Sequence, residues 1–276
     1  MTDQPLMPKM TAMGLTKRER FSVALGEWIN KGGLAKKLGM FWARHVAARF
    51  VRVCSRKSWQ IEGFEAIENL KADAGVVIVA NHRSLYDLYI IVALLFSRCR
   101  WFSRVYFPVR SSFWYSAISG VLVNLVMAGG AMWPPIFRDR EKLRLNKVAM
   151  DQLSHVLRTP GAAIGFHPEG TRNKDPDPFS FLPAKAGLGK LLKSSNPEVT
   201  VIPVYINGLS NSFFREMIRN IPLIGQSPAE PIRMYFGAPL RVCDLPELSP
   251  KKQSQFLMDC VVALAKKDPR HPEYVP

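Results

Sequence analysis

The feature that most restricts the fold is an alternation, after Gly63, of short β-branched segments with segments of helical character. The clearest of these, residues 76–80, reads Val-Val-Ile-Val-Ala and contains no polar side chain. A continuous apolar run of this length is typical of a strand buried on both faces, as in a parallel sheet covered by helices. The sequence therefore predicts an α/β fold with a mixed, largely parallel central sheet flanked by helices.

The remaining segments complete this pattern and divide the chain into three parts. Further strands are predicted at residues 100–105, 162–166, 200–206 and 232–236, and helices at residues 84–96, 140–157, 184–192 and 251–265. Residues 58–276 are interpreted as one domain. Residues 1–16 lack periodicity and are interpreted as a flexible leader, and residues 17–57 as a separate helical element.

The helical element, residues 17–57, is strongly basic. It holds eleven of the 38 Lys and Arg residues of the chain but only two acidic residues, and Gly32 with Gly33 divides it into two helices. Basic helices with Trp and Phe side chains suit a membrane interface, where the rings lie at the depth of the lipid head groups. The alternative is a helical hairpin packed on the main domain, because Arg49 falls between Trp42 and Phe50 on a helical wheel.

The net charge of +16 attracts phosphate groups, whether on nucleic acid, on lipid head groups or on an anionic substrate. No nucleic-acid-binding motif accompanies this charge, so no nucleic-acid partner is expected. The four cysteines are widely separated, which predicts neither a disulfide framework nor a zinc site, and no metal is expected. The N-terminal residues lack the order of a secretory signal, which favours a location on the cytoplasmic side.

Residues 111–137 contain no charged side chain over 27 positions. A helix that spans a bilayer needs about 20 apolar residues. Asn124, three glycines and the adjacent Pro134 and Pro135 weaken the apolar character of this segment. It is therefore either a membrane span or, as we favour, a buried or half-immersed segment.

A polar cluster directly follows the predicted strand 76–80. It places His82 and Asp87 at the carboxyl edge of the sheet, where open α/β folds bind ligands. Ser84 and Asp87 have the spacing of a capping box, which predicts Ser84 as the N-cap residue and leaves His82 in the preceding loop. A carboxylate on one imidazole nitrogen leaves the other nitrogen as a general base. The pattern contains no serine nucleophile, which suits acyl transfer to a substrate hydroxyl.

A second polar cluster follows the predicted strand 162–166. Residues 167–173 read His-Pro-Glu-Gly-Thr-Arg-Asn. Since parallel strands end at the same edge of a sheet, the two clusters together predict one site.

These segments resemble the glycerol-3-phosphate and lysophosphatidic acid acyltransferase family. The family's first motif, Asn-His-x4-Asp, matches residues 81–87, and its third, Pro-Glu-Gly-Thr-Arg, matches residues 168–172. Its second motif, an apolar pair ending in Asp-Arg, is similar to residues 136–140. Its fourth motif, an apolar strand around a proline, is similar to residues 201–204. The resemblance covers roughly residues 63–237.

The resemblance implies a role for each matching residue. His82 would be the general base and Asp87 its partner. The acceptor's glycerol phosphate would be held by Arg140, Glu169, Gly170, Thr171 and Arg172, with Asn81, Arg138 and Lys185 as further candidates. Guanidinium groups suit this task because they bind phosphate oxygens in a bidentate way.

Three of these positions, and the neighbouring His167, leave alternatives open. Arg138 stands where the family often has an apolar residue, and is either a second phosphate contact or a solvated charge. Lys185 has the same two interpretations. Glu169 would repel a phosphate and would instead position Arg172 or a glycerol hydroxyl. His167 occupies a position that is usually apolar or aromatic and is a rival base, although no carboxylate lies at motif spacing from it.

The activity that the resemblance implies is transfer of an acyl group from acyl-CoA or acyl carrier protein to the free hydroxyl of a lysophospholipid. The favoured acceptor is 1-acylglycerol-3-phosphate, which gives phosphatidic acid. No cofactor is expected because a thioester is already activated. The expected location is the cytoplasmic face of a membrane, the inner membrane if the source is bacterial, with anionic lipids as partners.

Three alternative functions stay open. The chain is otherwise an acyltransferase acting on another lysolipid, a non-catalytic basic module that binds membrane or nucleic acid, or a hydrolase. The hydrolase is disfavoured because the sequence has no Gly-x-Ser-x-Gly segment.

Overall fold

The computed structural model describes residues 14–221 and 230–275. Most of the leader predicted over residues 1–16 therefore lies outside the described residues. Leu15 is buried, and Thr16 caps the first helix. The Thr16 hydroxyl accepts a hydrogen bond from the backbone N–H of Glu19, while the Glu19 carboxylate accepts one from the backbone N–H of Thr16. This reciprocal capping box fixes where the helix begins.

The basic element forms two long helical stretches. The first is α1 (Lys17–Asn30). The second begins with α2 (Leu34–Trp42), passes through a π-helical turn (Ala43–Ala47) and ends in α3 (Ala48–Ser55). Gly33 separates the two stretches with a φ of 77°, a left-handed conformation that glycine adopts without steric cost.

The main domain follows with strands and helices in alternation. Its strands are β1 (Trp59–Glu62), β2 (Val76–Ala80), β3 (Arg104–Tyr106), β4 (Val109–Arg110), β5 (Pro135–Ile136), β6 (Ala162–Phe166), β7 (Thr200–Asn207), β8 (Ile232–Phe236) and β9 (Leu240–Arg241). Its α-helices are α4 (Glu65–Glu68), α5 (Asp87–Arg98), α6 (Ser111–Trp114), α7 (Ile118–Ala128), α8 (Leu143–Leu157), α9 (Gly187–Lys193), α10 (Phe213–Met217) and α11 (Pro250–Ala265).

The central sheet has the order β1-β8-β7-β2-β6-β3, with β9 beside β7. Strands β7, β2, β6 and β3 are parallel to one another, β8 is antiparallel to β7, and β1 is parallel to β8. Strands β4 and β5 pair separately. The prediction of a mixed, largely parallel sheet flanked by helices is therefore confirmed. The strand predicted at residues 100–105 is shorter than expected and lies at 104–106.

Strand β2 lies in the middle of the sheet, and all five of its residues are buried. Val77 and Val79 face a core that also contains residues of α8, α9 and α11. Ile78 and Ala80 face a second core, to which α3 and α5 contribute. Burial on both faces explains why this strand reads as a continuous apolar run.

The basic element is packed firmly on the domain. Gly39 approaches Gly129 so closely that a Cβ at position 39 would lie 2.3 Å from the Gly129 carbonyl oxygen. Lys36 is buried, and its Nζ donates to the Asn30 Oδ1 at 2.7 Å and to the Val105 carbonyl at 2.9 Å. Burial, with a contribution from nearby Arg104, holds the pKa of this lysine well below its usual value. One face of the basic element is thus packed on the domain, as expected for the alternative of a helical hairpin.

The uncharged segment 111–137 folds into α6, α7 and β5. Within the described residues, no helix combines the length and the apolar character needed to cross a bilayer. Helix α7 has one buried face, with Gly120 and Asn124, and one exposed apolar face, with Ile118 and Leu122. Such a helix is compatible with a half-immersed segment, which stays a prediction.

Candidate active site

The register of the sheet brings the two polar clusters together. Val79 of β2 pairs with Phe166 of β6, and Ala80 pairs with Val204 of β7. The chain leaves β2 and β6 at the same edge, so that His82 and His167 emerge as neighbours. The backbone joins the two loops as well, since the Asn173 N–H donates to the His82 carbonyl at 2.7 Å.

Asp87 organises the first loop. Its Oδ2 accepts hydrogen bonds from the backbone N–H groups of Arg83 and Ser84, both at 2.8 Å, and from the Nδ1 of His82 at 3.2 Å. The carboxyl group is buried, whereas the His82 side chain is 20% exposed. The predicted pair therefore meets, with Asp87 turned back toward the loop.

The prediction that Ser84 is the N-cap residue is wrong, although the Asp87 carboxylate does accept from the Ser84 N–H as in a capping box. Helix α5 begins at Asp87 after Tyr86, and no side chain caps it. The Ser84 hydroxyl donates instead to the Ser210 carbonyl at 2.6 Å, in the loop after β7. The Asp87 carboxylate takes the free amides of the loop, which is why residues 83–86 form turns rather than the first turn of the helix.

Burial sets the protonation of the pair. It lowers the pKa of His82 to about 4, and the positive charge of Arg172 acts in the same direction. It also raises the pKa of Asp87 to about 6. At pH 7 the imidazole is neutral and the carboxyl group is ionised. Because the carboxylate only accepts hydrogen bonds, Nδ1 of His82 carries the proton and Nε2 is the free base.

Glu169 lies beneath the site rather than at its surface. One carboxylate oxygen accepts from the backbone N–H of His82 at 2.6 Å and the other from that of Leu182 at 3.0 Å. The residue is 1% exposed, and burial raises the pKa of its carboxyl group to about 7. This geometry corrects the expectation that Glu169 positions Arg172 or a glycerol hydroxyl, since both of its oxygens already bind backbone amides.

We expect Glu169→Gln to weaken the site and the fold together. An amide has one acceptor oxygen, so one of the two backbone N–H groups loses its partner, at a cost of about 1–3 kcal/mol. Urea unfolding should show this loss in the free energy of unfolding. The matched variant Glu141→Gln, at an exposed position, should change it by less than about 0.5 kcal/mol. Equal stability of the two variants would contradict a stabilising role for the two backbone hydrogen bonds to the Glu169 carboxylate.

Two of the predicted arginines border the loop 168–172. The Arg172 Nη1 donates to Asn211 Oδ1 at 2.8 Å, and the Arg138 Nη2 donates to the Gly170 carbonyl at 2.8 Å. Gly170 has a φ of 65°, which explains why this position is a glycine. Arg138 is exposed and Arg172 half-buried, so the two guanidinium groups keep donors available to a ligand.

The other predicted contacts differ in their relation to this loop. Lys185 lies beside it, because a Cβ on Gly170 would lie 3.4 Å from the Lys185 Cγ. Thr171 is exposed on the loop itself. Arg140 is exposed at the start of a 3-10 turn, and in the described part of the chain its side chain makes no hydrogen bond.

Asn81 does not face a ligand. It is fully buried, its Nδ2 donates to the Ile206 carbonyl at 2.9 Å, and its Oδ1 accepts from the Ile206 N–H at 2.8 Å. Both of its polar groups are used in extending the contact between β2 and β7. The suggestion of a substrate contact is therefore corrected to a structural role.

His167 lies directly against the base. The rings of His82 and His167 stack with their centroids 3.9 Å apart and an interplanar angle of 9°. The Nδ1 of His167 donates to the Ala80 carbonyl at 2.9 Å. Burial, followed by the proximity of His82, lowers the pKa of His167 to about 3, so this ring is also neutral at pH 7.

His82, Asp87 and His167 offer ligand atoms that all lie within 4.8 Å of one another. They do not fit a shared metal ion as arranged. The nitrogen lone pairs lie in the ring planes, and these planes are parallel and separated by the stack. An ion about 2.0–2.1 Å from both nitrogens would need one ring to turn.

Sequence reasoning missed the loops that hold the first motif from outside. Asn211 accepts from the backbone N–H of Leu85 at 3.2 Å as well as from Arg172. Arg83 donates to the Ser180 carbonyl at 3.2 Å. These contacts join residues 39, 97 and 126 positions apart, and Asn211 lies in a loop without a recognisable motif.

The site contains a base with an ionised partner, arginines beside it, and no protein nucleophile on the base. Within the described residues, the His82 ring has no hydrogen bond to a serine or a cysteine. These features define a group-transfer site in which an external acceptor supplies the nucleophile.

The match to a known protein family agrees with this class. Residues 63–207, more than half of the chain, match the sequence model of the family described as Acyltransferase, and the chain belongs to this family. A 1-acyl-sn-glycerol-3-phosphate acyltransferase of Borreliella burgdorferi is 26% identical over 174 residues. The match covers 62% of this chain and 62% of the length of that relative. The crystal structure of the 1-acyl-sn-glycerophosphate acyltransferase PlsC from Thermotoga maritima is similar with a TM-score of 0.49 and 19% identity, over 91% of each chain.

Proposed function

We propose that the chain transfers an acyl group from a thioester, acyl-CoA or acyl carrier protein, to the free hydroxyl of a lysophospholipid. The proposed acceptor is 1-acylglycerol-3-phosphate and the product phosphatidic acid. The observation that carries the proposal is the neutral, partly exposed His82, whose Nδ1 contacts Asp87 and whose pKa is lowered by burial and by Arg172 of the loop 168–172. The name of the Borreliella burgdorferi relative supports the choice of acceptor.

The proposed reaction needs one proton acceptor. Nε2 of His82 takes the proton of the acceptor hydroxyl while its oxygen attacks the thioester carbonyl carbon. A C–O bond forms, the tetrahedral oxyanion collapses, and the C–S bond breaks. The thiolate takes the proton from the His82 imidazolium, which Asp87 stabilises meanwhile. An ester and a thiol leave, and no resident cofactor takes part because the thioester is already activated.

Cationic side chains beside the base suit a phosphate-bearing acceptor. Arg172 is the last residue of the loop 168–172, Arg138 donates to the Gly170 carbonyl, and Lys185 lies against Gly170. Guanidinium groups bind phosphate oxygens in a bidentate way, whereas a lysine acts as a point charge. We assign the acceptor's phosphate to this cluster and include Arg140, which is exposed at the start of the 3-10 turn after Arg138.

An apolar cleft between α3 and α5 suits an acyl chain. Its walls include Val51, Tyr86, Tyr89 and Met127. Tyr86 directly precedes Asp87, so the cleft begins next to the residue that orients the base. We assign this cleft to an acyl chain because an extended hydrocarbon gains most from an apolar lining.

The outer face of the basic element suits a membrane surface, and we propose that it docks on the cytoplasmic face of an anionic bilayer. Trp28 and Phe41 are each 63% exposed and Leu34 is 72% exposed. Large exposed apolar side chains beside basic ones are typical of helices that lie in the interface. Helix α7, which contacts α2, also carries exposed apolar side chains, Ile118 and Leu122.

Replacing both Lys31 and Lys37 by Glu should weaken binding to vesicles that contain anionic lipid by more than about tenfold at low salt. Each basic residue near such a surface contributes about 1 kcal/mol, and salt screens the effect. Vesicle co-sedimentation measures the change. Lys251→Glu with Lys252→Glu on α11 makes the same change in charge and serves as the control. Equal binding of the two double variants would leave the basic element with its packing role alone.

The choice of acceptor is tested by incubating purified protein with mixed acyl-CoAs, or acyl carrier protein thioesters, and a panel of lysophospholipids. Mass spectrometry should find phosphatidic acid as the main acylated product. Acylation of a different lysolipid would change the acceptor but keep the reaction. Salt-dependent binding of vesicles or DNA without consumption of any thioester would favour the non-catalytic module.

A further inference from the structure

The orientation of His82 is held less firmly by Asp87 than the motif alone suggests. The Oδ2 atom that faces the ring already accepts two backbone hydrogen bonds at 2.8 Å, and its contact with the His82 Nδ1, at 3.2 Å, is the longest of the three. Hydrogen bonds to a carboxylate are normally shorter, at about 2.7–2.9 Å. The terminal torsion of a histidine is also broad and nearly two-fold, so one long contact leaves the ring free to swing.

His167 supplies a second constraint. Its ring lies parallel to that of His82, with the centroids 3.9 Å apart. Its own position is fixed by the backbone at both strand ends, since it follows β6 directly and its Nδ1 donates to the last carbonyl of β2, that of Ala80. A carbonyl oxygen only accepts hydrogen bonds, so Nδ1 of His167 carries the proton and the ring cannot turn over without losing this bond.

The stack also favours the charged form of the base. During the proposed reaction His82 becomes an imidazolium, and the face of a neutral aromatic ring attracts a cation that lies over it. This attraction exists only while the proton is on His82, so it lowers the barrier rather than the energy of the resting enzyme.

We propose that His167 is a positioning residue for the acyl transfer. Its ring, fixed by the hydrogen bond to Ala80, stacks against the His82 ring and holds it with Nδ1 toward Asp87 and Nε2 toward the acceptor. The inference rests on the proposed function of His82. It assigns His167 no proton transfer of its own, in contrast to its role as a rival base.

Two substitutions distinguish the effect of the stacked His167 ring from that of its hydrogen bond to the Ala80 carbonyl. His167→Phe keeps an aromatic ring but cannot donate to the Ala80 carbonyl. His167→Asn keeps a donor near the position of Nδ1 but has no ring. Steady-state kinetics of the full chain should show kcat of His167→Phe within about threefold of wild type. For His167→Asn and His167→Ala, kcat should fall about tenfold, equivalent to about 1.4 kcal/mol of barrier, with KM for both substrates unchanged.

Other outcomes overturn the proposal. Wild-type kcat in both His167→Ala and His167→Asn removes any role for the ring. High activity in His167→Asn with low activity in His167→Phe assigns the effect to the Ala80 hydrogen bond. Loss of activity in His167→Phe as deep as in His82→Ala makes residue 167 a participant in the chemistry. A fully active His82→Ala protein, by contrast, rejects the proposed role of His82 as the base, and absence of acyl transfer by the wild-type protein rejects the proposed function itself.

One measurement needs no variant to fold. In the wild-type protein, ¹H–¹⁵N spectra of the histidine rings should show His167 as the Nδ1–H tautomer and the ring protons of His82 shifted upfield by the facing ring. An Nε2–H tautomer at His167 would contradict its hydrogen bond to Ala80, and unshifted His82 ring protons would contradict the stacking of the two rings.

Discussion

His82→Ala should lower kcat for acyl transfer by about 10²- to 10⁴-fold, the usual contribution of a general base. The side chain is partly exposed and sits in a loop, so its removal should leave the fold and vesicle binding intact. Circular dichroism and vesicle co-sedimentation check both properties. His155→Ala, on α8 and away from the two motifs, is the matched control and should keep wild-type activity.

Near wild-type turnover in folded His82→Ala protein would contradict the assignment of the base. The alternative is then His167, the other imidazole at this sheet edge. The variant His167→Phe distinguishes the two, because the account expects it to remain active.

Asp87→Asn should lower kcat by a comparable factor, about 10²- to 10⁴-fold, for a different reason. The amide oxygen can still accept from the loop amides of Arg83 and Ser84, so the loop should persist. Placed at the Oδ2 position, that oxygen also keeps the hydrogen bond from the His82 Nδ1, because one atom makes all three contacts. The amide carries no negative charge, however, so it no longer stabilises the imidazolium that forms when Nε2 takes the acceptor's proton.

The exposed Asp151→Asn on α8 is the control for this change and should have no effect on kcat. Activity of Asp87→Asn within about threefold of wild type would show that the negative charge of Asp87 is not needed to stabilise the His82 imidazolium. His82 would then need a different partner.

The sequence predicts the two strands that carry the site, and the pairing of His82 with Asp87, because both depend on local patterns. The apolar runs at 76–80 and 162–166 are the observed strands β2 and β6. The sheet pairs them in parallel, which brings His82 and His167 together as the two-cluster argument expects. The pairing of His82 with Asp87 follows equally from local spacing, since only five positions separate them.

What the sequence misses depends on distant contacts. Glu169 bonds the backbone of His82, 87 positions away, so its role beneath the site has no local signal. The predicted start of α5 lies too early because the Ser84 hydroxyl donates to the Ser210 carbonyl, 126 positions away, and accepts from the Tyr86 N–H without capping the helix. The structural role of Asn81 also has no local signal, since its amide pairs with Ile206 in a neighbouring strand, 125 positions away.

The most direct test of the account is the balance of a single reaction. Purified protein is incubated with acyl-CoA and 1-acylglycerol-3-phosphate, and the released thiol, the diacylated phosphate lipid and the free fatty acid are measured together. The account predicts one diacylated lipid for each thiol, with almost no free fatty acid and none of these products from His82→Ala. Thiol release matched by free fatty acid, or no thiol release by the folded wild-type protein, would contradict it.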